Sequence, residues 1–529
     1  MAVTTKPAEH PAPLAEPPAA AMTHREILEA MSGLLLGMFV AILSSTVVST
    51  SLPRIVTDLG GTQSGYTWVV TSTLLALTVS TPIWGKLADL FDRKLLVQSG
   101  LAIFIVGSVL AGLAGSMSWL IACRAIQGVG VGGLTALVQV ILSDLVSPRE
   151  RGRYAGYLGA VFGVGTVAGP LLGGVVTDSL GWRWCFYVGV PFALAAFIVL
   201  QRTLHLPRRR REVSLDYLGA VLIAGGASSL LVWVSLAGQQ YAWLSWQTAG
   251  LVTAGVALLI GAVAVERRVR EPLVPLQLFS QRTVVLAVIA SVAVGIALFG
   301  TTVFLSQYMQ IARGKSPTES GLLTIPMVVG LFTASALIGR RVSSTGRYKR
   351  FMLAGTGLLT LGLALMGTLD ETTSLAELGA FMVLVGAGVG MLMQNLVLVV
   401  QNTVARREIG AGSSLVAFFR SLGGAVGVSV LGALLASKAS SAILHGLSAA
   451  GLPAPSGAHR VPVVSELPAP VAHIVEHAYG TGIAEIFLVA APLGLVAMLA
   501  VALMREVPLG TKSGIELARD ELATPPAQL

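Results

Sequence analysis

The stretch Gly159-Ala160-Val161-Phe162-Gly163-Val164-Gly165-Thr166-Val167-Ala168-Gly169-Pro170-Leu171-Leu172-Gly173-Gly174 holds six glycines, one proline and no charge in sixteen positions. Gly165, Gly169 and Gly173 recur every four residues. They therefore share one helix face and leave it bare, so a neighbouring helix can approach closely or slide along it. Pro170 supplies a kink. Helices in lipid associate through small residues of this kind, which makes the stretch part of a membrane span over 155–177.

Its surroundings agree. The chain has 529 residues, 54% of them hydrophobic and 12% charged, with a mean hydropathy of +0.79. A water-soluble protein carries about 25% charged residues, so too few charges exist here to cover a soluble surface. A single anchor of about 20 residues could not raise the average of the whole chain this far. Apolar runs near 31–52, 67–84, 95–115, 118–141, 155–177, 186–204, 217–237, 246–265, 284–309, 321–341, 351–369, 378–402, 411–437 and 482–504 make fourteen crossings. Their lengths suit helices, whereas barrel strands are about half as long. The expected fold is an all-α integral membrane protein of fourteen transmembrane helices.

Residues 1–29 contain no apolar run of their own, are rich in Ala and Pro, and read as a disordered tail rather than a cleavable signal. An even number of crossings puts both termini on one side. Of the Lys and Arg residues outside the spans, 27 fall on that side and 6 on the other. The basic bias marks it as cytoplasmic, and explains the net charge of +9 without nucleic acid as a partner. Arg outnumbers Lys 28 to 7, a composition common in GC-rich bacteria, so the expected location is a bacterial cytoplasmic membrane. Cys123 and Cys185 have no metal-ligand spacing and read as small apolar packing residues. His473 and His477 are spaced i and i+4 in the outer loop 438–481, a spacing that can ligate a metal, but solvated loop residues are the simpler reading. Neither metal nor cofactor is expected.

Two intramembrane features carry mechanism. Arg124 lies inside the fourth span, in Arg124-Ala125-Ile126-Gln127-Gly128. A guanidinium in hydrocarbon costs several kcal/mol unless it finds a partner or a wet cavity, so it marks function. After the second span comes Gly85-Lys86-Leu87-Ala88-Asp89-Leu90-Phe91-Asp92-Arg93-Lys94. There a glycine allows close helix approach, and an acid one turn later can meet bases or the positive start of a neighbouring helix. Gly85, Asp89, Arg93 and Lys94 together could latch helices at the cytoplasmic face.

That loop resembles the signature loop of the major facilitator superfamily, departing at Leu90, where the family prefers a base, and at Asp92, where it prefers glycine. A copy without the acid, Gly339-Arg340-Arg341 to Gly346-Arg347-Tyr348-Lys349, stands in the second half, as expected of internal repeats. Arg124-x-x-Gln127-Gly128 is similar to the fourth-helix motif whose Arg the family links to proton coupling. The run Gly165-x-x-x-Gly169-Pro170-x-x-Gly173-Gly174 resembles the antiporter motif of the superfamily's exporters, and Trp182 to Tyr187 is similar to the drug-exporter branch. Fourteen spans point to its multidrug drug:proton antiporters. The resemblance implies two six-helix bundles with two extra central helices. Its domains are a disordered tail 1–29, a first bundle 30–204, a basic linker with the extra pair 205–282, a second bundle 283–504 and a cytoplasmic tail 505–529.

Leu43 to Pro53 resembles a further signature of that branch, but Ser44 stands where the branch has an intramembrane Asp and Ser49 where it has Asn. A cation exporter commonly needs that carboxylate. Asp178 and Glu485, near outer span ends, are the candidate substitutes for proton coupling beside Arg124, although solvation at a helix end is the simpler reading of both. With no midplane acid, neutral, anionic or weakly cationic apolar substrates are expected. Ser44, Ser49, Gln307, Gln394 and Asn395 are candidate cavity residues. Amides of this kind can orient a substrate or bond helix to helix, and both readings stand. The expected function is proton-driven efflux of hydrophobic drugs or antibiotics by alternating access, in a monomer whose other partners are protons and the lipid bilayer. The alternative is a dedicated exporter of one endogenous metabolite or lipid. An enzyme would need a nucleophile and base or a metal cluster, and the spans hold no His and no clustered carboxylates.

Overall fold

In the computed structural model the described residues are 24–509, apart from 61–62, 147, 205–216, 238–240, 270–275, 316, 406–407 and 452–466. The side chains of Ser49, Asp89, Pro170 and Asp178 also lie outside the described set, as does the basic stretch 206–211. The first bundle comprises α1 (His24–Asp58), α2 (Gln63–Leu90), α3 (Arg93–Gly112), α4 (Met117–Leu145), α5 (Pro148–Ser179), and a short α6 (Trp184–Tyr187) leading into α7 (Gly189–Thr203). The extra pair is α8 (Tyr217–Leu236) and α9 (Trp246–Glu266). The second bundle comprises α10 (Arg282–Gln307), α11 (Pro317–Leu323), α12 (Ile325–Thr345), α13 (Lys349–Met366), α14 (Leu375–Thr403), α15 (Ile409–Ala449) and α16 (Ala469–Leu503). Among the described residues thirteen helices are long and apolar enough to cross a membrane, and Leu218–Val234 of α8 is a shorter apolar helix.

Each bundle has its own apolar core, one built from residues between Ile27 and Leu204 and the other from residues between Leu278 and Leu509. Large side chains such as Leu361 and Leu499 are at least half exposed, as a lipid-facing belt requires. The extra pair belongs to neither core. α9 packs on α8, and α8 lies against both α2 and α15, along one seam between the bundles.

Local chemistry sets the helix ends. Asp92, where the resembling motif has glycine, is the N-cap of α3, its carboxylate accepting from the Lys94 N–H at 2.9 Å. Ser374 and Glu377 close a capping box on α14. Gly346 ends α12 at φ +68°, a conformation that favours glycine.

Three expected boundaries change. The outer loop 438–481 shrinks, because α15 continues to Ala449 and α16 begins at Ala469. Lys438 and the histidines lower hydropathy without breaking a helix. The described breakers are Gly451, at φ +67°, and Pro468, the N-cap of α16. Residues 24–29 of the expected disordered tail belong to α1. At the other end, the start of the expected tail 505–529 is docked: Leu509 is buried in the second core, and Tyr348 Oη accepts from the Val507 N–H at 3.1 Å.

Candidate functional site

The two bundles meet most tightly toward the face that carries the basic loops. α2 ends at that face, and Gly85 lies so close to α15 that a Cβ there would collide with Ser414 and with the Gly410 carbonyl. Nearby, Gln139 of α4 crosses to the other bundle. Its Nε2 donates to Gln394 Oε1 at 3.0 Å, and its carbonyl accepts from Gln401 Nε2 at 3.3 Å. Gln401 also donates to Ser413 Oγ at 2.7 Å. Four helices, α4, α14, α15 and α2, are thus tied across the seam. Toward the opposite face Trp182 Nε1 donates to Asp58 Oδ2 at 2.9 Å within the first bundle and Arg313 to the carbonyls of Glu371 and Thr373 at 2.8 and 2.6 Å within the second, while α11 packs on α5 of the first bundle. The molecule is therefore shut at the basic face.

Directly behind this seam a narrow pocket is lined by Met38, Phe162, Leu331, Ser335, Met393 and Gln394, from α1, α5, α12 and α14. Gln394 borders both pocket and seam, while Asn395 turns back to its own helix, donating to the Met391 carbonyl at 2.6 Å. Asn395 is thereby removed from the expected cavity set, since a side chain bonded four residues back along its own helix is not offered to a ligand. Ser44 is buried in α1 and Gln307 is half-buried at the end of α10, neither in contact with the pocket. Ser49 lies outside the described side chains.

The glycines of α5 divide by face. Gly165 and Gly169 press on Ile42 and Thr46 of α1, inside the first bundle, and the Thr46 hydroxyl donates to the Gly165 carbonyl at 3.2 Å. Gly159 and Gly163 instead meet Ser335 and Val328 of α12, in the second bundle. The face that meets the other half is thus the one bearing Gly159 and Gly163, one to two turns before the expected sliding face of Gly165, Gly169 and Gly173. Spacing alone assigned a bare face to the helix without saying which neighbour fills it. Gly173 offers its carbonyl to Cys185 Sγ at 3.9 Å, and Gly174 is half-buried. Cys185 itself sits in a buried polar cluster with Ser51 and Thr177, at 3.1 and 3.2 Å, rather than among purely apolar neighbours.

Of the latch residues, Arg93 forms an ion pair with Asp144 at the end of α4, and its Nε donates to the Ala88 carbonyl at 2.9 Å. Lys94 Nζ donates to the Gln201 carbonyl at 2.7 Å. Both contacts stay within the first bundle, whereas Gly85 meets α15 of the second. Asp89 falls outside them.

Arg124 is 3% exposed. Its Nη1 donates to Gln127 Oε1 at 2.9 Å and its Nε to the Val69 carbonyl of α2 at 3.4 Å. Gln127 in turn donates to Ser108 Oγ of α3 at 2.7 Å, and Thr73 of α2 donates to the Arg124 carbonyl at 3.2 Å. The charge is held by neutral dipoles that join α2, α3 and α4. Of the candidate carboxylates, Glu485 is half exposed and pairs with Lys438 at 2.8 Å, a surface pair between α16 and α15. It is thereby removed from the proton path expected of it, because position along an apolar run does not distinguish a lipid-side rim from a cavity. His477, offered above as half of a metal pair, bonds Glu371 at 2.9 Å, and no metal-binding cluster exists among the described residues.

The sequence reading missed Gln139, Ser413 and Ser414. Gln139 is an isolated amide within the apolar close of α4, which is the signal that could have found it.

The comparisons with known proteins agree with this architecture. The profile of the Major Facilitator Superfamily matches residues 34–428, and the chain belongs to that family of membrane transporters. It is 38% identical over 481 residues to an uncharacterized MFS-type transporter of Mycobacterium tuberculosis, covering 90% of this chain and 69% of that one. It is 36% identical to the multidrug transporter protein MdtP of Bacillus subtilis, covering 77% and 74% of the two chains. The fold is shared with the proton:xylose symporter XylE, at a TM-score of 0.62 and 16% identity over 94% of this chain and 99% of the other.

Proposed function

We propose that this transporter expels small hydrophobic compounds, drugs and antibiotics among them, across a bacterial cytoplasmic membrane in exchange for protons, with both termini in the cytoplasm. The observation that carries the reading is the seam: amide bonds through Gln139, Gln394 and Gln401, with the close approach of Gly85 to α15, join the two bundles at the basic face. Neutral amide bonds worth about 1 kcal/mol each can be made and broken within a transport cycle. Shut on the basic, cytoplasmic side, the molecule stands at the stage that releases cargo outward, and opening the seam brings the pocket beside Gln394 to the cytoplasm.

Arg124 is the coupling residue of this reading. It links α2 to α4, and those two helices carry Gly85 and Gln139 to the seam, so a change in its hydrogen bonds acts on the gate through two rigid rods. MdtP and the multidrug resistance protein 3 of Bacillus subtilis, 33% identical over 400 residues, support a broad substrate range. A transporter of the acurin A biosynthesis cluster in Aspergillus aculeatus, 33% identical over 408 residues, supports the second reading, a dedicated exporter. Expression in an efflux-deficient bacterium, with susceptibility measured over a chemically diverse panel, separates them. Protection against several unrelated compounds is expected; protection against one compound or none contradicts the broad reading.

A further inference from the structure

The second arginine inside a span, Arg420, is the inverse of the first. It is half-buried in α15, eleven residues beyond the start of that helix at Ile409, or about 16 Å along it at 1.5 Å per residue. That depth is beyond what an Arg side chain spans to reach the basic face. Among the described residues it has no hydrogen bond, ion pair or aromatic-face contact.

The sequence of every neighbouring helix explains why. The helices packed on α15 are α2, α4, α8, α10, α14 and α16. Their acids are few: Asp89 and Asp144 at the basic face, Glu377 and Glu476 near the other, and Glu485 halfway along α16. Asp144 is committed to Arg93, Glu377 to the Ser374 cap, and Glu485 to Lys438. On these six helices no acidic residue is placed level with Arg420.

Its backbone is seated closely on α10. A Cβ at Gly295 of α10 would collide with the Arg420 backbone, and Gly423 and Gly427, on the same side of α15, pack against Val292 and Ile296 of α10. Arg420 lies six residues, about 9 Å, beyond Ser414, where α15 touches Gly85 of the other bundle. It therefore stands just past the closed seam, on a helix that borders both bundles.

An uncompensated guanidinium at this depth is costly, and its presence is explained if its partner is the cargo. Resting on the export reading above, we infer that Arg420 is the counter-charge for the substrate, and that the substrate class is lipophilic organic monoanions, an apolar body bearing one carboxylate or sulfonate. Arg matches such a group with a planar two-donor fork, and discrimination follows because a neutral analogue leaves that fork unpaired. The absence of an acid at Ser44 in α1 fits the same sign of cargo.

The test uses the full chain in phosphatidylcholine and a matched pair of probes, dansyl-leucine and its methyl ester. Uptake into inverted vesicles and the ligand-induced rise in Tm of the purified protein are each read as an acid-to-ester ratio, with sodium sulfate as the inorganic-anion arm. The expected result is a preference for the acid of at least tenfold in wild type, lost in Arg420→Gln and largely kept in Arg420→Lys. A merely structural role lowers both probes equally and leaves the ratio unchanged, which overturns the proposal. So does wild type without acid preference, or sulfate equal to the acid. The Tm shift needs no proton gradient, so absent uptake with a persisting acid preference breaks the export reading and leaves the anion site standing.

Discussion

The two bundles share one architecture and wire their buried charges in opposite ways. In the first, Arg124 is enclosed by a chain of neutral partners, Val69, Gln127 and Ser108, that ties three helices together. In the second, Arg420 stands at mid-depth with no described partner. A buried charge that is fully bonded transmits position, because moving it breaks defined hydrogen bonds; a buried charge left open receives a ligand. The loops repeat the contrast. Arg93 of the first half has Asp144, whereas in the second half, which lacks the acid in its own loop, Glu506 from beyond α16 accepts from the N–H groups of Tyr348 and Lys349 at 3.1 and 3.2 Å, capping the start of α13.

The largest effect expected from this contrast is in Arg124→Ala, which removes the coupling group: uptake into inverted vesicles should fall more than tenfold while the protein still folds and inserts, checked by size-exclusion of the purified variant. Retention of proton-driven uptake would reduce Arg124 to a packing element like any other. Next is the pair of loops. Arg93→Ala strands Asp144 and should cost about 3–5 kcal/mol of stability, against about 1 kcal/mol for the exposed cap in Glu506→Gln; thermal unfolding in detergent compares the two, and equal losses would erase the asymmetry. Gln127→Leu should cost about 1–3 kcal/mol, since it leaves both the Arg124 and Ser108 groups without a partner. The smallest effect concerns Glu371, in the loop between α13 and α14. Burial raises its pKa, but hydrogen bonds from its own backbone N–H and from His477, with the His477 charge, outweigh that and leave it below the ordinary 4.5. A lowered folded pKa means a contribution to stability that is present above 4.5 and lost as pH falls from there through the folded value. His477→Ala should remove part of it, less than about 1 kcal/mol, seen as a flatter loss of Tm between neutral and acid pH; an unchanged profile would count against the pair.

Much of this was legible in the chain. Fourteen apolar runs, the charge bias and the loop Gly85 to Lys94 specify a helical transporter because hydrocarbon permits few alternatives. Arg124 was legible for the same reason, as a charge where charges are expensive. What stayed hidden was azimuth. Hydropathy places a residue along a span but not around it, so Glu485 stayed open between proton site and solvated helix end, and Asn395 between cavity and helix bonding, until the pair with Lys438 and the bond to Met391 favoured the second reading of each. The close approach at Gly165 and Gly169 was legible, but not that α1 fills it while Gly159 and Gly163 meet α12, and Gln139 went unnoticed because its importance lies in Gln394 and Gln401, more than 250 positions away.

The central claim is proton-driven export with Arg124 as the coupling residue. It is tested most directly in inverted vesicles from an efflux-deficient bacterium, by following uptake of a hydrophobic fluorescent substrate with and without a protonophore, in wild type and in Arg124→Ala. Uptake that collapses with the protonophore and is missing in the variant is the predicted result. Uptake that proceeds at the same rate with the proton gradient dissipated would contradict antiport, while leaving the fold and the seam as described.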